Sequence, residues 1–334
     1  MLAKRINFFS TALALMILGG IHCTSKEPAK NNAGEGPKTA AEPVWTGPAA
    51  HQIPYNQHAE GKAIWYGHEL IVNTAFYLGP KGIVGSYSNG MNCQNCHLDA
   101  GTKPYGNNYG AVASTYPKFR ERSGNIETIA KRVNDCFERS LNGTALDTNS
   151  TEMQAIVAYI KWLGQKVEKG TKPQGTGIME LKYLNRAADP LKGKAVFAGH
   201  CAKCHGNDGM GVAKADGMGY EFPPLWGPHS YNEGAGLYRI SRFAGYVFNN
   251  MPNTVNWHNP ELTEAEAWDV AAFVNSQPRP KKDLSADWPN VGGKPVDHPF
   301  GPYNDPFTET QHKYGPFGPI ARWKKEHAAK QAVK

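Results

Sequence analysis

Hydrophobic positions recur at helical rather than strand spacing along most of the chain. In Lys62–Tyr77 the residues Ile64, Trp65, Leu70 and Ile71 show helical spacing. Asn149 and Ser150 offer caps for a second helix, whose stripe is Ile156, Val157, Ile160 and Leu163. Asp189-Pro190 pairs a cap with a first-turn proline and opens a helix through Gly193 and Phe197 into Cys201. Gly193 and Phe197 share a face, where a small residue permits close helix crossing. A capping box, Thr263-Glu264-Ala265-Glu266, begins the helix Thr263–Asn275, with Ala267, Val270, Ala271 and Val274 at helical spacing. The same reasoning predicts a helix over Asn125–Leu141, with Ile126, Ile129, Val133 and Phe137 inward and Asn142-Gly143 as its stop.

These elements fall into two halves that repeat one order: helix, short cysteine motif, loops, closing helix. Residues 1–23 combine a basic start, Lys4-Arg5, with an apolar run too short to span a membrane, which is the pattern of a secretory signal. Cys23 closes that run and is a candidate lipid-attachment cysteine, although Gly20-Ile21-His22 matches poorly the small residues such sites carry. Residues 24–50 are polar and expected to be flexible. A first domain is expected over 51–165, a linker over 166–188 and a second domain over 189–278. The aromatic-rich tail 279–334 is expected to wrap over both, because so many aromatics are costly in a free tail.

Composition sharpens this picture. At 40% hydrophobic and 19% charged residues the chain can bury a core, which excludes a disordered protein. The 36 glycines and 24 prolines point to loop-rich domains whose centres are filled by something other than regular structure. The net charge of +7 falls to +5 once Lys4 and Arg5 leave with the signal. That surplus lacks the Lys/Arg blocks of a nucleic-acid binder and suits small anions.

Four of the six cysteines form Cys93-Gln94-Asn95-Cys96-His97 and Cys201-Ala202-Lys203-Cys204-His205. Each is C-x-x-C-H, in which two thiols attach one porphyrin and the adjacent histidine becomes its proximal iron ligand. A zinc or thioredoxin-like site needs neither that histidine nor a duplication. The expected fold is therefore mostly α: two class I cytochrome c-like domains, each a small helical bundle around one covalently bound haem c, with a loop-rich C-terminal tail. In the second half the distal candidates are Met210, Met218, His229, Met251 and His258. Met251 is favoured, because Asn249-Asn250-Met251-Pro252-Asn253 reads as an extended loop pinned by proline ahead of the closing helix. A His205/Met251 iron would have a raised potential, suited to electron exit.

The first half has neither histidine nor methionine between Leu98 and Ser150. Its iron is left with Cys136, a lysine or an open position, and Cys136 stands before its closing helix much as Met251 does before the other. Arg132, Cys136 and Ser140 recur at i, i+4 and i+8, with Lys118, Arg120 and Arg122 just upstream. Arginines near a thiol favour the thiolate that iron ligation requires. Such a ligand lowers the potential relative to methionine and can form S–S bonds. Two haems offer two one-electron stores, so redox chemistry on a small sulfur anion is expected. Coupling two thiosulfates into tetrathionate has the right stoichiometry, with Arg122 and Arg132 offsetting the repulsion and Ser140 donating a hydrogen bond.

The run Arg132-Val133-Asn134-Asp135-Cys136-Phe137-Glu138-Arg139-Ser140-Leu141-Asn142-Gly143, with Asn92-Cys93-Gln94-Asn95-Cys96-His97, resembles the di-haem thiosulfate dehydrogenase family. The resemblance implies that Cys136 ligates the active-site haem and is catalytic, and that Arg132, Arg122 and Ser140 frame the substrate. It also implies a periplasmic setting and a reaction running from thiosulfate to tetrathionate or back. A small redox protein such as a cytochrome c is the expected electron partner. Some members carry a lysine just before the distal methionine; here that position is Asn250, so such a ligand switch is not expected. Two other readings stay open: a non-catalytic electron carrier, and a haem subunit acting on a carrier-protein thiol.

Overall fold

The computed structural model describes residues 43–55 and 58–331. The signal segment, Cys23 and residues 24–42 lie outside the described residues. Residues 43–50, expected to be flexible, are packed: Trp45 donates its backbone N–H to Gln174 and its ring lies against Gly110.

Helix α1, Ala59–Val72, ends at Asn73, whose backbone is not helical, and a short helix, Thr74–Leu78, follows. Sequence periodicity ran these together. The break has a local cause: the buried Thr74 hydroxyl donates to Leu70 O (2.6 Å) and accepts from Cys93 N (2.9 Å). Ala75 N donates to Asn92 Oδ1 (2.8 Å), so the broken helix cradles the first cysteine motif.

Asn125–Glu127, expected to be the first turn of a helix, is instead strand β2, antiparallel to β1, Lys118–Arg120, with Phe119 opposite Ile126. Ile126 is 73% exposed, so it does not belong to a buried stripe. The helix begins only after Thr128, whose side chain accepts from Lys131 N. This α2, Ile129–Asp135, runs into a single π-helical turn, Cys136–Ser140. Helix α3, Thr151–Leu163, is capped by Ser150 and buries Ile156, Ile160 and Leu163. It crosses α1 at Gly67, where an added Cβ would stand 2.0 Å from Ala155 O.

Residues 166–188, expected to be a linker, contain no helix and are held as a strap. Tyr105 N and Asn108 Nδ2 both donate to Gly175 O at 2.7 Å. The second half repeats the helix crossing. Helix α4, Pro190–Val196, is capped by Asp189 and followed by a π-helical turn, Phe197–Cys201, and a short helix, Ala202–His205. Helix α5, Ile240–Asn250, was not apparent in the sequence pattern. Helix α6, Glu264–Ser276, carries the Thr263/Glu266 capping box and crosses α4 at Gly193, where an added Cβ would stand 1.9 Å from Asp269 O.

Asn249 and Asn250 belong to the last turn of α5 and are fully buried, not in an extended loop. Only Met251 is extended, as expected of a residue before proline. The tail lies along both halves: Asp287 grips Arg139, and buried Asp297 grips Arg239 and Ser241. It ends in α7, Glu309–Tyr314, and α8, Phe317–Gln331, whose Phe317 and Ile320 are buried. Among the described residues no helix is long and apolar enough to cross a membrane.

Candidate active site

His97 and His205 are presented in the same way. His97 Nδ1 lies 2.5 Å from Asn107 O, and His205 Nδ1 lies 2.8 Å from Pro223 O. A carbonyl can only accept, so each Nδ1 carries the proton and each Nε2 keeps its lone pair. Burial pushes His97 down to about 4 and lowers His205 as well, so both rings are neutral and able to ligate at neutral pH. With two thiols beside each, these donor sets fit covalent haem c, and the carbonyl bonds supply the orienting outer contact that metal-bound histidines require.

Cys93, Cys96 and His97 line a cavity of about 570 Å³ whose walls include Ile71, Tyr109, Phe137 and Ile156. The same cavity is lined by Arg122, Arg132, Cys136 and Ser140. Thus the site residues expected for the first half converge on one place. Cys136 reaches it because Phe137, fully buried, anchors the π-turn into the core. Asn134 ties α2 to Leu146 through two bonds of 2.9 Å, fixing the helix just before the cysteine. Single π-turns are frequent at functional sites because they re-aim one side chain without ending the helix.

Arg132 Nη1 lies 3.3 Å from Cys136 Sγ. A negative sulfur there, more than any other neighbour, raises the Arg132 pKa and keeps the buried guanidinium charged. Arg122 is bound to Asp135, which also holds Lys131 at 2.8 Å. Burial alone would raise Asp135, but Arg122, Lys131 and Arg132 outweigh it and keep the carboxylate ionised. Lys118 and Arg120 line the cavity from β1. Burial, then Arg120, Lys172 and Arg132, push the Lys118 amine down to about 8. The site is strongly cationic, as an anion-binding cavity should be.

Residues 85–168 match the family model described as the SoxA/TsdA cytochrome c domain, and residues 191–278 match that of cytochrome c. A thiosulfate dehydrogenase of Psychrobacter arcticus is 36% identical over 279 residues, 82% of this chain and 81% of that protein. The chain belongs to the thiosulfate dehydrogenase family. Its relative of that name from Allochromatium vinosum is 38% identical, over 74% of this chain and 87% of the other. The solved thiosulfate dehydrogenase TsdBA of Marichromatium purpuratum, as isolated, superposes with a TM-score of 0.64 at 33% identity. That match covers 71% of this chain and half of that one. The protein therefore carries two cytochrome c domains and two covalent haem c groups.

In this family member the cavity is completed from outside the first domain. Lys172 and Glu180 enter from the strap, Arg239 and Arg242 from the second domain, and Trp288 from the tail. Sequence reading missed these five; their charged and aromatic character was visible, but nothing local joined them to Cys136. In the second domain Cys201 ends its π-turn, with Cys204 and His205 in the following helix. Met251 and Met218 are half-buried, Met251 packed against the core at the end of α5, whereas Met210, His229 and His258 are exposed.

Proposed function

We propose that the protein interconverts two thiosulfates and tetrathionate with two electrons, at the cavity shared by His97 and Cys136. The observation that carries this reading is the Cys136 sulfur 3.3 Å from Arg132 Nη1, in one cavity with Cys93, Cys96 and His97. Two haems, when bound, would supply a pair of one-electron acceptors, with His97 and Cys136 the residues that would hold the first iron and His205 and Met251 those that would hold the second.

Bringing two dianions to about 5 Å costs about 3 kcal/mol even at the dielectric of water. Arg132 and Arg122 offset this with planar forks matched to sulfonate oxygens, and Ser140 adds a hydrogen bond. In the oxidative direction the Cys136 thiolate and one thiosulfate lose two electrons and form an S–S bond, leaving a cysteine-bound thiosulfonate. The outer sulfur of a second thiosulfate attacks the sulfane sulfur of that adduct. Tetrathionate leaves and the thiolate is restored, so four negative charges on substrate become two on product plus two released electrons. The same steps reversed reduce tetrathionate.

The basic, apolar leader supports export to the periplasm, with a small redox protein such as a cytochrome c exchanging electrons at the second domain. Cys136→Gly is expected to abolish turnover in both directions while both haems remain covalently attached. Substantial remaining activity would refute the role of the cysteine.

A further inference from the structure

We propose that Asn232, a residue of the second domain, is a positioning residue for the Cys136 sulfur. This rests on the reading of Cys136 as the iron-facing group.

The π-turn closes through Leu141 N to Cys136 O and Gly143 N to Phe137 O, both 2.9 Å. The next two carbonyls, of Glu138 and Arg139, are bound from another part of the chain. Asn232 Nδ2 donates to Glu138 O and to Asn142 Oδ1, each at 2.9 Å, and Asn232 N donates to Arg139 O at 3.0 Å. Its Oδ1 accepts from Gly234 N at 3.1 Å. Both amide protons are used, and a flipped amide would set oxygen against two acceptors, so the orientation is unique. Asn232 is fully buried. Without this side chain Glu138 O and Asn142 Oδ1 lose their donor where no water replaces it, while the backbone N–H of residue 232 still binds Arg139 O.

The consequence is that the turn bearing Cys136 is finished by the second domain. Cys136 is followed by one anchor into its own core, Phe137, and then by carbonyls that Asn232 holds. Without Asn232 the turn can relax toward ordinary α geometry, which rotates Cys136 relative to Arg132. Displacements of about 1 Å at a reacting group cost about a hundredfold in rate.

The test uses the full di-haem protein and compares Asn232→Ala with Cys136→Ala and Asn249→Ala. Asn249 is an equally buried asparagine of α5, whose Nδ2 donates to Gly245 O at 2.7 Å inside its own helix. Readouts are the optical and paramagnetic spectra of the oxidised protein, the potential of the first haem, and kcat and KM for thiosulfate. Asn232→Ala is expected to convert part of the first-haem signature toward that of Cys136→Ala, and to lower kcat at least tenfold with KM within about twofold. The second-haem signature stays unchanged in Asn232→Ala, and Asn249→Ala leaves the first-haem spectrum as in the parent. If Asn232→Ala does not accumulate, Asn142→Gly removes one partner at a residue whose φ is +42°, which glycine accepts, and should shift the spectrum in the same direction. Parental spectra, potential and kcat in whichever of these variants folds overturn the proposal. A Cys136→Ala spectrum identical to the parent would instead overturn the underlying reading of the cysteine.

Discussion

The Arg132 guanidinium and the Cys136 sulfur, one helical turn apart, are 3.3 Å from each other across the start of a π-turn. The pair does two things at once. The guanidinium places a buried positive charge beside the sulfur, and under the proposed reaction its remaining N–H groups meet the oxyanion that approaches that sulfur.

Arg132→Lys tests whether the planar fork matters or only the charge. Lysine keeps the cation but not the two-pronged geometry, so kcat/KM for thiosulfate is expected to fall about tenfold to a hundredfold, or roughly 1.4–2.7 kcal/mol. Steady-state rates with a dye acceptor measure this. A lysine variant as active as the parent would show that a point charge suffices.

Lys118 predicts the pH dependence of substrate binding. Its amine, pushed down to about 8, faces Arg120 on its own strand, Glu127 across the hairpin, Lys172 of the strap, Arg132 of α2 and the Tyr116 ring at 4.8 Å. Below pH 8 it is charged and attracts a dianion; as pH rises through 8 that charge is lost. KM for thiosulfate should therefore climb about tenfold between pH 7 and 9. Lys118→Arg should flatten the climb, and an arginine variant that still shows it would acquit the lysine.

Much of this was legible beforehand, and what was not shares a cause. The two C-x-x-C-H motifs, the caps at Ser150, Asp189 and Thr263, and the Arg132/Cys136 spacing are local patterns with local mechanisms. Ile126 fits a helical stripe locally, yet pairing with Phe119 draws it into a hairpin and exposes it. The run to Asn250 stays helical because only at Met251 does Pro252 forbid the α conformation. Lys172, Arg239, Arg242, Trp288 and Asn232 reach the site from distant segments, where no spacing rule operates.

Met251 is the second haem's expected sulfur ligand, and Met251→Leu keeps its bulk while removing its donor. Both haems should remain attached, and the second haem's potential should fall by on the order of 0.1 V, well within the span that axial ligands command. The first haem's potential should not move. Redox titration followed at both haems decides this; an unchanged second potential would assign the ligand elsewhere.

The two domains share a packing device that predicts their relative fragility. At Gly67 and Gly193 the opening helix of each domain meets the backbone of its closing helix, with added Cβ atoms 2.0 Å from Ala155 O and 1.9 Å from Asp269 O. Neither carbonyl can yield without moving a helix, because both belong to α3 and α6 backbones buried in the cores. Gly67→Ala and Gly193→Ala should each cost about 1–3 kcal/mol through forced separation of the helices. Gly199, a few residues beyond Gly193, has nothing within 4 Å of an added Cβ, so Gly199→Ala should be close to neutral. Thermal melts followed at each haem separate the effects, since Gly67→Ala should loosen the first site before the second and Gly193→Ala the reverse. If both variants melt like Gly199→Ala, the helices approach less closely than this geometry requires.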